Sequence, residues 1–305
     1  MKFLKFTLVG ATKTKYFMGL GLLFAALPLV AQKGLSDHQI KIISANIRVA
    51  LKSDVVKGHG WEDRKEIVFE VIKDQNPDII CLQEVLEDQN NDFKNNFPNY
   101  FSFGFEGPEM DAFTDGEYHL IAKNPILFDL RKYKFIAGGV YWLSEKPHLG
   151  GSISWGSARA RHVNWVRLKS IETGKVFRVL NTHLDHVSSE AKENQAKMIV
   201  EEINQYPKDF PQILSGDFNS DSPSVPIQNL LSTLKDSYGI LHKGVDPGFT
   251  VHGFIGPNAT TKKGKVDFIF YRGAMSPIEA KVIKDNKEGI YPSDHYFVTA
   301  ILAIE

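Results

Sequence analysis

The sequence predicts a chain in which strands and helices interleave over buried sheets, an α/β or α+β class folded as one two-sheet domain. Three observations carry this reading. Apolar runs of strand length alternate with segments of helical period along the whole chain after residue 32. No stretch among those roughly 270 residues has the composition of an interdomain linker, and no repeat of 20–50 residues is visible. Several of the apolar runs also end abruptly in polar residues that have no packing purpose. Composition agrees, because 43% hydrophobic and 24% charged residues exclude wholesale disorder. Lysine plus arginine equals aspartate plus glutamate at 36 each, which argues against gripping nucleic acid mainly by a basic surface and leaves a local basic patch open. The single cysteine, Cys81, excludes an intrachain disulfide and a thiolate zinc cage.

Taken in order, the chain begins with Lys2, Lys5, Lys13 and Lys15, then an apolar run from Tyr16 to Val30 that closes in Leu29-Val30-Ala31-Gln32. A positive region, a short apolar core and a small residue at the cut form the pattern of a signal peptide over residues 1–31. The run is short of the about 20 apolar residues a spanning helix needs. An uncleaved anchor is the alternative. Cleavage after Ala31 removes four lysines and no acid, leaving residues 32–305 with a net charge of −4. The expected location is periplasmic or secreted, with no stable membrane span after cleavage.

Ile40 to Arg48 alternates around Ile40, Ile42 and Ala45 and reads as a strand ending at Asn46. Glu62 to Gln75 places Ile67, Val68, Val71 and Ile72 on one helical face. Pro77 to Leu82 is, Asp78 apart, an apolar run of strand length that stops at Gln83-Glu84. Strands are expected at Val163–Leu168 and Val176–Asn181, followed by a helix from about Ser189 to Ile203 with Ala196, Ile199, Val200 and Ile203 inward. Further strands are expected at Gln212–Ser215, Val266–Tyr271 and Phe297–Ala303. The alternation in Phe101 to Phe105 fits a half-buried strand better than a membrane-entering hairpin. Strand C-termini in layered α/β folds are where ligand sites gather. A carboxylate ending an apolar strand costs free energy unless it is paired or metal-bound. Asn46, Gln83-Glu84, Asn181-Thr182-His183 and Gly216-Asp217-Phe218-Asn219 all sit at such ends.

These pieces resemble the endonuclease/exonuclease/phosphatase superfamily. The matching segments are Ser44-Ala45-Asn46-Ile47-Arg48, Asp78 to Val85, Asn181 to His186, Gly216-Asp217-Phe218-Asn219, Lys265-Val266-Asp267-Phe268-Ile269 and Tyr291-Pro292-Ser293-Asp294-His295. They follow the family's order over residues 40–300. Gly138 to Pro147, with Arg161 and Trp165, resembles a bacterial branch of it. The resemblance implies a four-layer α/β (α+β) sandwich, two mixed β-sheets packed face to face and flanked by helices, with residues 32–305 as the catalytic domain. It also implies hydrolysis of a phosphate ester, where catalysis is chiefly charge neutralisation and positioning. By resemblance Glu84 is the primary metal ligand, with Asn46 and Asp294 beside it, for Mg²⁺ or Mn²⁺ as one or two ions. Asp217 and Asn219 would position or deprotonate the attacking water and can also hold a second ion. His183 and His295 would contact the phosphoryl oxygens, at least one as an imidazolium. Asp267 is the partner of His295, and Glu117 matches the position that pairs with His183.

Plainer readings stand beside these. Asp185 and His186 are placed just outside the site, and His252 reads as structural or rim. Arg159 and Arg161 are either strand-edge charges or a phosphate clamp, for which a planar guanidinium fork is suited. Trp155, in a glycine- and serine-rich stretch, is expected at a cleft mouth. Lys265 stands where many relatives have arginine. A small or carbohydrate-linked phosphate ester is the favoured substrate and a monomer is expected. A nuclease is the alternative, which would need a groove rich in Lys and Arg; the one basic cluster near Asp267 is Thr261-Lys262-Lys263. A lipid phosphodiesterase is a further variant. A non-catalytic binding protein is disfavoured because every key residue is kept.

Overall fold

A computed structural model describes residues 39–106, 123–261 and 263–305. The first strand, β1 (Gln39–Asn46), is followed by a short helix α1 (Lys52–Val55), helix α2 (Trp61–Gln75) and strand β2 (Ile79–Gln83). Helix α3 (Glu87–Asn96) leads to β3 (Tyr100–Phe103), and then β4 (Ile126–Asp129), β5 (Tyr133–Trp142), β6 (His162–Ser170) and β7 (Val176–His183) follow. Helix α4 (Ser189–Asn204) connects β7 to β8 (Gln212–Asp217). The remainder comprises α5 (Val225–Leu231), β9 (Lys235–Asp236), α6 (Ser237–Leu241), β10 (Asp267–Arg272), β11 (Met275–Ile283) and β12 (Phe297–Ile304).

The strands form two six-stranded mixed sheets, ordered β11-β12-β1-β2-β4-β3 and β5-β6-β7-β8-β10-β9. Each sheet has one parallel pair at its centre, β1 with β2 and β7 with β8. A parallel pair requires a crossover, and here the crossovers are α2 and α4. Both were visible as helical periods because each must cover its sheet with a continuous apolar stripe. Helix α2 buries Ile67, Val68, Val71 and Ile72. Helix α4 buries Ala196, Ile199 and Ile203, while Val200 is half-buried. The Ser188 hydroxyl caps α4 by accepting from the Ala191 amide at 3.1 Å.

Three apolar clusters define four layers. Ile40, Ile42, Ile79, Cys81, Val179, Ile213 and Ile269 fill the space between the sheets. The opposite face of the first sheet packs on α2 through Ile43, Ala45, Ile80 and Leu82, and that of the second on α4 and α5 through Leu180, Leu214 and Phe268. The β1 and β2 residues divide between the two faces by their strict alternation, and the full burial of both faces accounts for the near-continuous apolar runs. Burying each large aliphatic or aromatic side chain in these layers contributes about 1.5–3 kcal/mol. Tyr100 to Phe103 forms the edge strand β3, which stops two residues short of Phe105 and leaves Phe101 exposed, so the Phe101–Phe105 alternation does not mark one buried face.

This topology brings the polar strand ends together. Asn46 and Gln83 are paired at the C-terminal ends of parallel β1 and β2, as are His183 and Asp217 at those of β7 and β8. Strands β10 and β12 run antiparallel to their neighbours, so their starts lie at the same end. Asp267 is thereby opposite Asp217, and the Asp294-His295 turn enters β12 beside the end of β1.

Candidate active site

Asn46 joins the two halves of the site. Its side-chain amide donates to Glu84 Oε1 at 3.1 Å and to Asp217 Oδ2 at 3.0 Å, the second of which spans the two sheets. Glu84 adopts a left-handed backbone with φ of 63°, an arrangement that costs about 1–3 kcal/mol in a non-glycine residue. That turn lets its second oxygen accept the Val49 amide at 3.1 Å. Burial pushes the Glu84 carboxyl up, but the charge of His295, the Val49 amide and the Asn46 amide together hold it below its usual value. Asp294 stands beside them, 3.4 Å from the Arg48 guanidinium. Its carboxyl is raised by burial, against the pull of His295, and the Glu84 charge adds to the rise.

On the second sheet, Asp217 is 1% exposed and forms the hub. Its Oδ2 lies 3.3 Å from His183 Nε2 and 3.8 Å from His295 Nε2, and its Oδ1 accepts the Asn219 amide at 2.9 Å. Burial and the neighbouring Asp267 charge push the Asp217 carboxyl up to about 6. Gly216, just before it, lies so close to the Thr182 carbonyl that a Cβ would stand 2.2 Å from that oxygen, so no larger residue fits there.

The two histidines differ. His295 Nδ1 lies 3.0 Å from Asp267 Oδ2. Burial disfavours its cation, yet Asp267, Asp217 and Asp294 outweigh burial and hold the imidazole well above its usual value. His183 is pushed well below its usual value by burial, with Arg161 and His295 repelling a further positive charge. The Asn219 side-chain amide donates to the Leu184 carbonyl at 3.2 Å, which orients it, and so donates to His183 Nε2 at 2.9 Å. Neutral His183 therefore carries its proton on Nδ1. That buried Nδ1 has no partner among the described residues. Glu117 lies outside the described residues.

A cleft of about 200 Å³ opens over these groups, lined by Glu84, His183, Asp217, Asn219, Asp294 and His295 together with Arg48, Arg159, Arg161 and His186. Arg161 is 6% exposed and forms no ion pair with a carboxylate among the described residues. Its Nη2 donates to His186 Nδ1 at 3.1 Å. Because a guanidinium only donates, neutral His186 keeps its own N–H on Nε2.

The expected residues Asn46, Glu84, His183, Asp217, Asn219, Asp267, Asp294 and His295 are thus brought together, and Arg159 and Arg161 face them. Two residues of the cleft escaped the sequence. His186 was placed outside the site, yet it lines the cleft; its spacing of three from His183, across a turn, was the only signal. Arg48 ends the Ser44 to Arg48 motif, which by itself assigns it no role. Asp185 does stay outside, its carboxylate accepting the Ala158, Val187 and Ser188 amides at 2.9, 2.9 and 2.6 Å. Trp155 is half-buried and is not among the residues lining the cleft; Ser188 Oγ holds its carbonyl at 2.7 Å. His252 is buried against Tyr291 and Tyr296 at ring distances of 4.7 and 4.2 Å, a structural role. Lys265 pairs with Asp236 at 2.9 Å and lies away from the cleft lining.

The donor set fits a hard divalent cation. Glu84, Asp294, Asp217 and Asn46 offer oxygen ligands, and the raised Asp217 and Asp294 carboxyls mark negative charge that the protein alone leaves incompletely neutralised. Asp217, Asp267 and His295 also offer ligand atoms within 4.8 Å of one another. That trio is the poorer cage, because Asp267 is engaged by His295.

Comparison with known proteins agrees with this architecture. The model of the endonuclease/exonuclease/phosphatase family matches residues 43–295. An endonuclease/exonuclease/phosphatase from Bacteroides vulgatus superposes with a TM-score of 0.76 at 28% identity, covering 88% of this chain and 99% of that one. A mannosyl-6-phosphatase from Bacteroides thetaiotaomicron superposes with a TM-score of 0.74 at 27% identity, covering 87% and 99%. The human Nocturnin catalytic domain, at 22% identity and a TM-score of 0.67 over 88% and 95%, shares the fold. Two sheets meeting at one polar end, and a family match that runs from β1 to His295, lead to one assignment: this chain belongs to the endonuclease/exonuclease/phosphatase family.

Proposed function

We propose that the chain is an exported, divalent-metal-dependent phosphoesterase that hydrolyses a small or carbohydrate-linked phosphate ester by in-line attack of water. The observation that carries the reading is that one small cleft holds both a carboxylate cluster and a buried Arg161 with no carboxylate ion-pair partner among the described residues. Glu84, Asn46 and Asp294, with Asp217 and Asn219, would hold Mg²⁺ or Mn²⁺, which when bound supplies positive charge against the phosphoryl oxygens. Arg161, with Arg159 and His186 in the lining of the same cleft, binds and orients the phosphate. His295, kept cationic by Asp267, offsets the charge that builds up on phosphorus-bound oxygen. Asp217, raised to about 6, is poised near neutrality to take a proton from the attacking water. The similarity to a mannosyl-6-phosphatase over nearly the whole of both chains supports a sugar-linked ester. The export reading rests on the signal-peptide pattern of residues 1–31.

The test is a panel of sugar phosphates, inositol phosphates, plasmid DNA, RNA and sphingomyelin, each with Mg²⁺, Mn²⁺ and EDTA. Sugar phosphates should turn over fastest and EDTA should stop the reaction. Plasmid nicking far above sugar-phosphate turnover would make the protein a nuclease, and undiminished activity in EDTA would remove the metal.

The donor on His183 Nδ1 supplies a second expected result. No acceptor for it stands among the described residues, and Glu117 is the residue proposed to supply a carboxylate. Glu117→Gln should lower kcat about ten- to a thousandfold, the loss typical of one transition-state stabilising group, with little change in melting temperature and no rescue by added Mg²⁺. Unchanged kcat would make Glu117 an ordinary acid.

A further inference from the structure

Arg64 lies outside the cleft, and neither the family resemblance nor the chemistry above gives it a task. It is 1% exposed on α2, and no carboxylate among the described residues pairs with it. Its guanidinium donates instead to four backbone carbonyls. Nε reaches His59 O at 3.1 Å, Nη1 reaches Ile47 O and Pro292 O (the latter at 2.9 Å), and Nη2 reaches Arg48 O at 2.6 Å. An unpaired buried cation is expensive, and such an arrangement persists only where carbonyl dipoles are made to converge on it.

Three of the four carbonyls belong to the segments that carry the candidate cation ligands. Ile47 and Arg48 follow Asn46 directly, and Pro292 lies two residues before Asp294. The peptide between Arg48 and Val49 is the informative one. Its oxygen accepts from Arg64 and also from Gln89 Nε2 at 2.9 Å, while its N–H donates to Glu84 Oε2 at 3.1 Å. To turn that N–H toward Glu84, Arg48 takes a left-handed backbone with φ of 58°, which an arginine adopts only at a cost. Arg64 thus holds a strained peptide in the orientation that fixes the Glu84 carboxylate, and at the same time ties it to the turn before Asp294.

We propose that Arg64 is a positioning residue for the divalent-cation site, acting through the Arg48–Val49 peptide on Glu84 and through Pro292 on Asp294. This rests on the reading of Glu84, Asn46 and Asp294 as cation-holding residues. A lysine cannot reproduce a fork that addresses several carbonyls at once. Arg64→Lys should therefore weaken Mg²⁺ and Mn²⁺ binding about ten- to a hundredfold, the range typical for groups that orient metal ligands.

The experiment is calorimetric titration of the whole protein with MgCl₂ and MnCl₂, together with the rise in melting temperature each ion produces. Arg178→Lys serves as the control, since Arg178 is equally buried in the other sheet but pairs with Glu202 at 2.8 Å. It should lower the melting temperature without changing ion affinity. Gln89→Met removes the second donor to the Arg48 carbonyl. It should weaken ion binding in the same direction by a smaller factor, which keeps the question answerable if Arg64→Lys does not fold. Wild-type affinity in a folded Arg64→Lys protein, or in Gln89→Met when the lysine variant does not fold, would reduce Arg64 to a structural residue. An equal loss in Arg178→Lys would do the same. If the unaltered protein binds neither ion, the cation reading itself fails and this proposal falls with it.

Discussion

Asp217→Asn is expected to lower kcat by about two to four orders of magnitude, the range for loss of a positioned general base, without lowering the melting temperature measured in EDTA. The carboxylate touches both halves of the cleft, at 3.0 Å from Asn46 Nδ2, 3.3 Å from His183 Nε2 and 3.8 Å from His295 Nε2. An amide of the same shape cannot take a proton from water and presents a donor where Asn46 already donates. The stability side has the opposite sign. Folding raises this carboxyl from its usual 3.8 to about 6, so its ionised form is disfavoured in the native state. Its contribution is therefore most favourable at low pH and is lost as pH rises through about 6, a difference on the order of 2–3 kcal/mol. In EDTA the parent should lose stability between pH 4 and 7 relative to Asp217→Asn, which lacks this titration. Thermal melts across that range, paired with kcat at saturating substrate, check both halves. Activity within tenfold of the parent would remove Asp217 from the chemistry.

Glu84→Gln is expected to fail differently. The variant keeps an oxygen for the Val49 amide, so the turn at Glu84 should survive. It loses the charge that a hard cation requires. The Mg²⁺ concentration for half-maximal activity should rise about a hundredfold or more, above the tenfold to hundredfold typical of removing an outer partner, and excess Mg²⁺ should restore part of the rate. Glu117→Gln, by contrast, should not respond to added Mg²⁺. If both variants respond alike, Glu117 is itself a cation ligand and its assignment to His183 is wrong. If Glu84→Gln leaves the Mg²⁺ dependence unchanged, the cation sits elsewhere, and the Asp217, Asp267 and His295 group becomes the next place to look.

Much of this was legible in the chain because burial leaves a one-dimensional trace. The run Ile79 to Leu82 is apolar without a break, and Ile213-Leu214 is apolar at the centre of β8, because both faces of their sheets are covered, one by the other sheet and one by a helix. Their polar endings are visible for the same reason: an Asp or Glu directly after a buried run has no packing explanation. Helices α2 and α4 were readable to within a residue or two from the spacing of Ile67, Val71, Ile199 and Ile203. Edge strand β5 and helix α3 gave no such trace. Much of β5 is half-exposed or exposed, and α3 buries only Gln89, Asn90 and Phe93.

The sequence by itself determined the fold class, the helical crossovers and the set of polar strand ends, since each follows from local periodicity and from the cost of burying polar groups. Tertiary structure decided how those ends relate. Asn46 and Asp217 are 171 residues apart, yet one amide bridges Asp217 and Glu84, because the parallel pairs at the two sheet centres end on the same side. The charges of His183 and His295 were likewise beyond the sequence. Both are buried histidines, and what separates them is that Asp267 stands 3.0 Å from one while the Arg161 charge repels the other. The placement of His186 on the cleft wall depends on a turn and on the reach of Arg161. Protonation and orientation are set by a few ångströms of through-space distance in a poorly screened interior, and that distance is a property of the packed sheets rather than of any segment of chain.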